Sequence, residues 1–425
     1  MERRFQIRFE ELMADAVVSP AVLHGMLPRL EKFVEPFAAC LERVEQRVNA
    51  QQYIGGLVSD LARKNAESIA YHYNRDRQGV QKFIGSSPWD HVPLLTTLAT
   101  QVGAALGEAD GVIVFDPSGF AKKGKESVGV QRQWCGRLGK VENCQVGVYM
   151  GYVSRREHAL VNVRLYLPEE WANDKSRRKK CGVPKAEQFQ TRHELALAML
   201  AEQGKLLPHG WISGDDEMGR SAKFRGELRA LNERYLLAVP SNTLVRDPNA
   251  EPPPYGGRGR HPKAPMMRVD TWAAGLPEES WTTINVRDGE KSPLIVKIVA
   301  APMLVKPSRS KVTTEEMLVV IRRADDDGAV IHDYYFSNAD SKTPLEEFAR
   351  VAKAEHRIED CFQRGKGEAG LGDYEVRNWN GWYHHQTLSL IAAWFLTEET
   401  RRGKKIHTSH HASTSPGTTG RVVAA

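Results

Sequence analysis

Cysteine is scarce, and its spacing carries no pattern. Cys40, Cys135, Cys144, Cys181 and Cys361 contain no CxxC pair, so a structural zinc site or a disulfide framework is not expected and free thiols are. The 14 histidines form no HExxH. His384-His385 and His410-His411 are neighbours in sequence, which rarely chelate one ion from regular structure. No run approaches the roughly 18 apolar residues of a membrane span. The start, MERRFQIRFEELMADA, is charged and lacks the apolar core of a secretory signal, so a cytoplasmic location is expected, with no membrane partner. Also missing are a GxGxxG after a strand, a GxxxxGK[ST] and a GxSxG elbow, which sets aside the common metabolic α/β enzymes.

What is present is 425 residues, 41% hydrophobic and 26% charged, enough for two or three domains around at least one large core. The net charge of +6 and a pI near 8.9 suit a polyanionic partner.

Residues 1–108 read as a helical domain. Phe37, Leu41, Val44 and Val48 recur at four, three and four, which predicts one helical face. YIGGLVSDLARKNAESIAYHY and VPLLTTLATQVGAAL follow, separated by Ser86–Trp89. The period then changes. Gly111–Asp116 is a short apolar run ending in an acid before Pro117-Ser118-Gly119, which reads as a buried strand stopping at a turn. Strands CQVGVYMGYVS and HALVNVRLYLP, a helix over 184–203, strand HGWISGDD, a helix after Met218-Gly219 and strand RYLLAVP complete a segment over 109–240. This order suits a mixed sheet with helices packed on it, and an RNase H-like fold has it. Residues 241–335 begin with a Pro-, Gly- and Arg-rich stretch and continue as a β-rich insertion. Helices return over 336–400, and 401–425, with basic residues and no acid, read as a disordered basic tail.

Three acids stand out. Cutting or transferring a phosphodiester needs an activated oxygen nucleophile, charge neutralisation at phosphorus and help for the leaving oxygen. Two Mg²⁺ ions about 4 Å apart, held by a few carboxylates on rigid backbone, supply all three. Asp116 ends the most apolar strand, although it also suits an Asx-type turn with Ser118. Asp215 ends HGWISGD, although three successive acids also suit a helix N-terminus. Glu359 lies in EHRIEDCFQRGKGE, with Gln363 and Lys366 on its face at offsets of four and seven, a layout that also suits a solvated face. Two acids at strand ends of one sheet, and a third on a helix entered after a long insertion, form the layout of a metal-dependent nuclease.

At these residues the sequence resembles bacterial insertion-sequence transposases of the DDE superfamily, in the branch with a β-rich insertion before the catalytic Glu. The resemblance covers most of the chain. GLVSDLARKNAESIA followed by SSPWD resembles the helical leader, and VFDPSGFAKKGKESVGVQRQWCGRLGKVENCQVGVY resembles the block around the first catalytic Asp, here Asp116. WISGDDEMGRS resembles the second block. Counting back from Gly219 selects Asp215, and Met218 standing for the usual aromatic leaves Asp216 open. HRIEDCFQRGKGEAGLGDYEVRNWNGWYHH resembles the third block, with Glu359 as the catalytic Glu and Lys366 as the motif's lysine. The motif's Arg four positions before the Glu is here Glu355. Glu368 and Glu375 are the nearest rivals as third ligand.

The resemblance implies a transposase that cuts insertion-sequence ends and transfers the strand into target DNA, using Asp116, Asp215 and Glu359 to hold two Mg²⁺ ions, with Mn²⁺ as a substitute. It implies double-stranded DNA partners, terminal inverted repeats and target, a homodimer in the synaptic complex, and nucleoid association when DNA is bound. The helical N-terminal domain is the expected reader of the repeats. Lys122, Lys123, Lys125, Arg132, Trp134, Arg137 and Lys140 form a basic stretch after the first Asp, where substrate phosphates must lie. Trp134 suits stacking on a displaced base, and Arg258 and Arg260 lie in a basic arm suited to a minor groove. Together they predict DNA affinity that falls steeply with salt. An RNase H-fold nuclease without strand transfer, and a catalytically inactive DNA-binding remnant, are the alternatives.

Overall fold

The computed structural model describes residues 25–287, 294–305, 313–324 and 329–413. Five helices come first: α1 (Met26–Ala38), α2 (Val44–Leu57), α3 (Ala66–His72), α4 (Arg77–Gly85) and α5 (Val92–Leu106). Side-chain caps start two of them, Asn65 accepting from Ser68 N and Asp76 from Gly79 N. The single helical face expected for Phe37, Leu41, Val44 and Val48 is not formed. The chain breaks after Ala38 and restarts at Val44, where the Gln46 side chain accepts from Arg43 N. Phe37 and Leu41 are therefore buried, while Val44 and Val48 are exposed.

The middle of the chain holds β1 (Val112–Ala121), β2 (Gln131–Cys135), β3 (Lys140–Val153), β4 (His158–Tyr166), α6 (Glu169–Asn173), α7 (Lys175–Cys181), α8 (Arg192–Gln203), β5 (Trp211–Gly214), α9 (Asp216–Arg220), α10 (Ala222–Ala230) and β6 (Tyr235–Ala238). Helix α8 starts at Arg192 rather than 184 because Thr191 and Glu194 cap it reciprocally. Then come β7 (Leu244–Val245), β8 (Met267–Arg268), α11 (Val269–Ala274), β9 (Thr282–Arg287), β10 (Leu294–Val305), β11 (Thr314–Ala324) and β12 (Val330–Ser337). The last elements are α12 (Leu345–Glu368) and α13 (Trp379–Ser413). The tail expected over 401–425 is thus helical as far as Ser413, and 414–425 lie outside the described residues.

One mixed sheet organises these elements, in the order β2-β3-β1-β5-β6-β12-β11-β10-β9, with β4 also paired to β3. Strand β1 is antiparallel to β3 and parallel to β5, and β5 is parallel to β6. Antiparallel strands leading into parallel ones, with helices packed on them, make this an RNase H-like fold. Of the insertion strands, β7 and β8 pair with each other as a two-stranded ribbon, whereas β9–β12 do not form a separate sheet. They continue the same one, because β12 pairs with β6 along Ser337–Tyr335. The N-terminal helices, the sheet and α12–α13 share one buried apolar cluster, while the insertion adds a second around Leu318, Val320 and Phe336. Among the described residues no helix is long and apolar enough to cross a membrane.

Helix α12 crosses the sheet, touching β1, β5, β6 and the insertion strands. Its packing stripe is Phe348, Val351, Ile358 and Phe362, all buried. Gly151 in β3 makes room for it: a Cβ there would lie 2.2 Å from Ile358 Cδ1.

Candidate active site

Strand β1 does not stop at Asp116, as the sequence suggests, but runs on to Ala121 paired with β3. The parallel pairing with β5 ends at Phe115, so beyond it β1 has a ladder neighbour on one side only and Pro117 is tolerated. Side chains alternate across the sheet. Phe115 packs edge-on against Phe224 of α10, at 6.4 Å between ring centres. Asp116, Ser118 and Phe120 therefore point to the other face, towards α12. There Lys366 Nζ donates to Ser118 Oγ at 2.9 Å and sits 5.2 Å from the ring centres of both Phe120 and Phe362.

Asp215 follows the four buried residues of β5 and caps α9, its Oδ1 accepting from Met218 N at 3.1 Å. Gly219 fixes the register: a Cβ there would lie 1.8 Å from Ala238 O, so only glycine lets α9 press on β6. Asp216 is exposed and paired with Arg220 at 2.8 Å. Of the two acids, Asp215 is the one turned into the protein.

Asp116 and Asp215 belong to one electrostatic group. Burial, then the Asp215 and Glu359 charges, hold the Asp116 carboxyl well above the usual carboxylate range, opposed by Lys366. Burial also lifts Asp215 to about 7, opposed by the Met218 N–H. Glu359 is placed differently. Its side chain is 74% exposed and lies 3.9 Å from His356 Nδ1, and the His356 ring beside it draws it below its ordinary value. Glu355, one turn earlier, stands where the related motif has an arginine and is no expected ligand. It is half-buried, and burial followed by the Asp215 and Asp116 charges pushes it well above the usual range. Its signal was there to read, because Glu355 falls between Val351 and Ile358 in the packing stripe. Of the rivals, Glu375 accepts from Asn65 Nδ2 at 3.1 Å, and Glu368 is exposed.

No three His, Cys, Asp or Glu side chains among the described residues already converge as a ready-made metal site. The donors nevertheless suit a hard divalent cation, being carboxylate oxygens taken out of water and crowded by like charge. A pH dependence follows. With a folded value near 7 against 3.8 in the open chain, Asp215 costs the metal-free fold nothing below about pH 4 and progressively more up to about pH 7. The melting temperature of the metal-free protein should therefore fall by a few degrees across that window. D215N, which keeps the cap, should flatten the curve, and thermal melts from pH 4 to 8 test both.

A cleft of about 600 Å³ opens beside Asp215, lined by Pro117, Trp134, Arg192, His193 and Glu217 among others. Trp134 is 55% exposed on its rim. Of the expected DNA contacts, Lys123, Lys125, Arg132, Arg258 and Arg260 are exposed, as is Lys140, which pairs with Glu142 at 3.4 Å. Arg137 lies on a short 3₁₀ turn, and its side chain is outside the described set. Lys122 is turned inward, 3.5 Å over the Tyr374 ring, and burial lowers it to about 8.

The chain belongs to the DDE superfamily endonuclease family, whose profile matches residues 36–293, a stretch that holds Asp116 and Asp215 and ends before α12. Endonucleases of this superfamily generally use divalent metal ions. The chain is also similar to the probable transposase for insertion sequence element IS701 of Microchaete diplosiphon, 30% identical over 195 residues. That alignment takes in 45% of this chain and 48% of the relative, about half the length of each.

Proposed function

We propose that the protein is a transposase that cuts DNA at the ends of an insertion sequence and joins the freed 3′-hydroxyl to target DNA. The observation that carries the reading is that Asp116 and Asp215 stand where the pairing of adjacent parallel strands β1 and β5 ends, and that Asp215, with Glu359 and Lys366 of α12, acts on the Asp116 charge. Asp116, Asp215 and Glu359 would hold two Mg²⁺ ions, or Mn²⁺ in their place. When bound, such a pair stabilises the attacking and departing oxygens of an in-line displacement at phosphorus.

The chain's own residues do the rest. Asp116 and Asp215 sit on backbone fixed by sheet pairing and by the α9 cap, so their carboxylates need little reorganisation. Lys366, steered by Ser118, holds a positive charge where substrate phosphate must approach. Lys123, Lys125, Arg132 and Lys140 lie beyond β1 for the flanking backbone, and Arg258 and Arg260 for a more distant groove. Trp134 offers an aromatic face to a displaced base at the cleft rim. We assign terminal-repeat recognition to the N-terminal helices (1–108), catalysis to 109–240 with 336–400, and synapsis to a homodimer.

The test is an assay with the element's own terminal repeats. In Mg²⁺ the protein should nick repeat DNA, and a pre-cut end with a 3′-hydroxyl should be joined to a circular target. Nicking without joining would make it a hydrolytic nuclease. Binding without nicking would make it an inactive DNA-binding remnant.

A further inference from the structure

An acid in the packing stripe of an amphipathic helix is costly. Phe348, Val351, Glu355, Ile358 and Phe362 recur at three and four along α12, and all but Glu355 are apolar and buried. Carboxylates set into a face that packs on a sheet, as this face of α12 packs on β1, β5 and β6, are ordinarily paired with a cation or several N–H donors. Half-buried Glu355 is not. Among the described residues no hydrogen bond or ion pair reaches its carboxyl, and the charges acting on it most, Asp215, Asp116, Asp333 and Glu359, are all negative. The nearby aromatic Tyr335 of β12 is itself buried. Glu359 lies one position off the stripe, towards solvent.

We propose that Glu355 is a further cation-holding carboxylate of this site, facing Asp116 and Asp215 from the core side of α12 while Glu359 closes the solvent edge. The inference rests on the reading of Asp116 and Asp215 as metal ligands and deepens it. A divalent cation is the one partner that would offset three inward carboxylates at once. The site would then recruit two acids from successive turns of one helix, at i and i+4, where the geometry is set by backbone rather than by a loop.

The experiment uses the full chain without DNA at pH 8, titrated with Mn²⁺ and followed by thermal melting for wild type, D116N, E355Q and E359Q. E355Q keeps the shape and removes a crowded charge. It should raise the metal-free melting temperature and weaken Mn²⁺ binding at least tenfold, as D116N should. Unaltered Mn²⁺ affinity in E355Q, with D116N impaired, overturns the proposal and leaves the functional reading intact. A metal-free E355Q that melts lower than wild type or fails to fold also overturns it, since Glu355 would then be structural. If D116N too binds Mn²⁺ as wild type does, it is the functional reading that fails.

Discussion

Asp116→Asn is expected to lower strand cleavage at repeat ends by at least about 10³-fold, the scale seen when one member of a catalytic unit is removed. Asparagine matches the carboxylate in shape, so the β1 ladder to β3 and β5 should survive. What is lost is one negative oxygen on the face towards α12, where burial and the neighbouring acids already hold the carboxyl well above its ordinary range. Removing a charge that Asp215 and Glu359 crowd and only Lys366 opposes relieves the metal-free fold, so the variant should melt no lower than wild type. Repeat-DNA affinity should persist, because Lys123, Lys125 and Arg132 are exposed and untouched. Gel-shift and nicking assays on the same preparation separate the two. Normal cleavage by the variant in Mg²⁺ would falsify the assignment.

The second large effect is one of stability. Glu316 of β11 is buried among Arg225 Nε at 3.0 Å, Arg229 Nη2 at 3.1 Å and Tyr235 Oη at 2.8 Å. Arg225, 4% exposed at its side chain, also donates to the Gly219 carbonyl of α9. Glu316→Gln would leave that guanidinium buried with a weakened partner, a loss of roughly 3–5 kcal/mol for a broken buried pair. The same bonds brace α9, whose first turn Asp215 caps, so cleavage should fall as well. Urea unfolding monitored by tryptophan fluorescence measures the first effect. A midpoint equal to that of wild type would show that the cluster is not holding the insertion to the core.

Much of this site was legible because the signals are local. Asp116 closes an apolar run, and Gly219 selects Asp215 for a reason the structure makes physical, the close approach of α9 to Ala238. The features that escaped depend on distant partners. Lys122 turns inward onto Tyr374, some 250 residues on, and β1 outruns Pro117 only because β3 supports it from one side. Pairing of β12 with β6 is a long-range choice that strand patterns do not encode. Glu355 was visible as a break in the helical stripe. The same position is where the related motif has an arginine, so motif and helix face give it different meanings.

The shared sheet also limits how this molecule can be pared down. Strand β6 owes its outer ladder to β12, so excising residues 241–337 would bare a row of backbone donors and acceptors at the middle of the protein. Such an uncapped margin invites a strand from another chain. A minimal catalytic fragment would be prone to clumping however well its carboxylates were kept, and the segment thereby serves as a protective hem as well as an appendage.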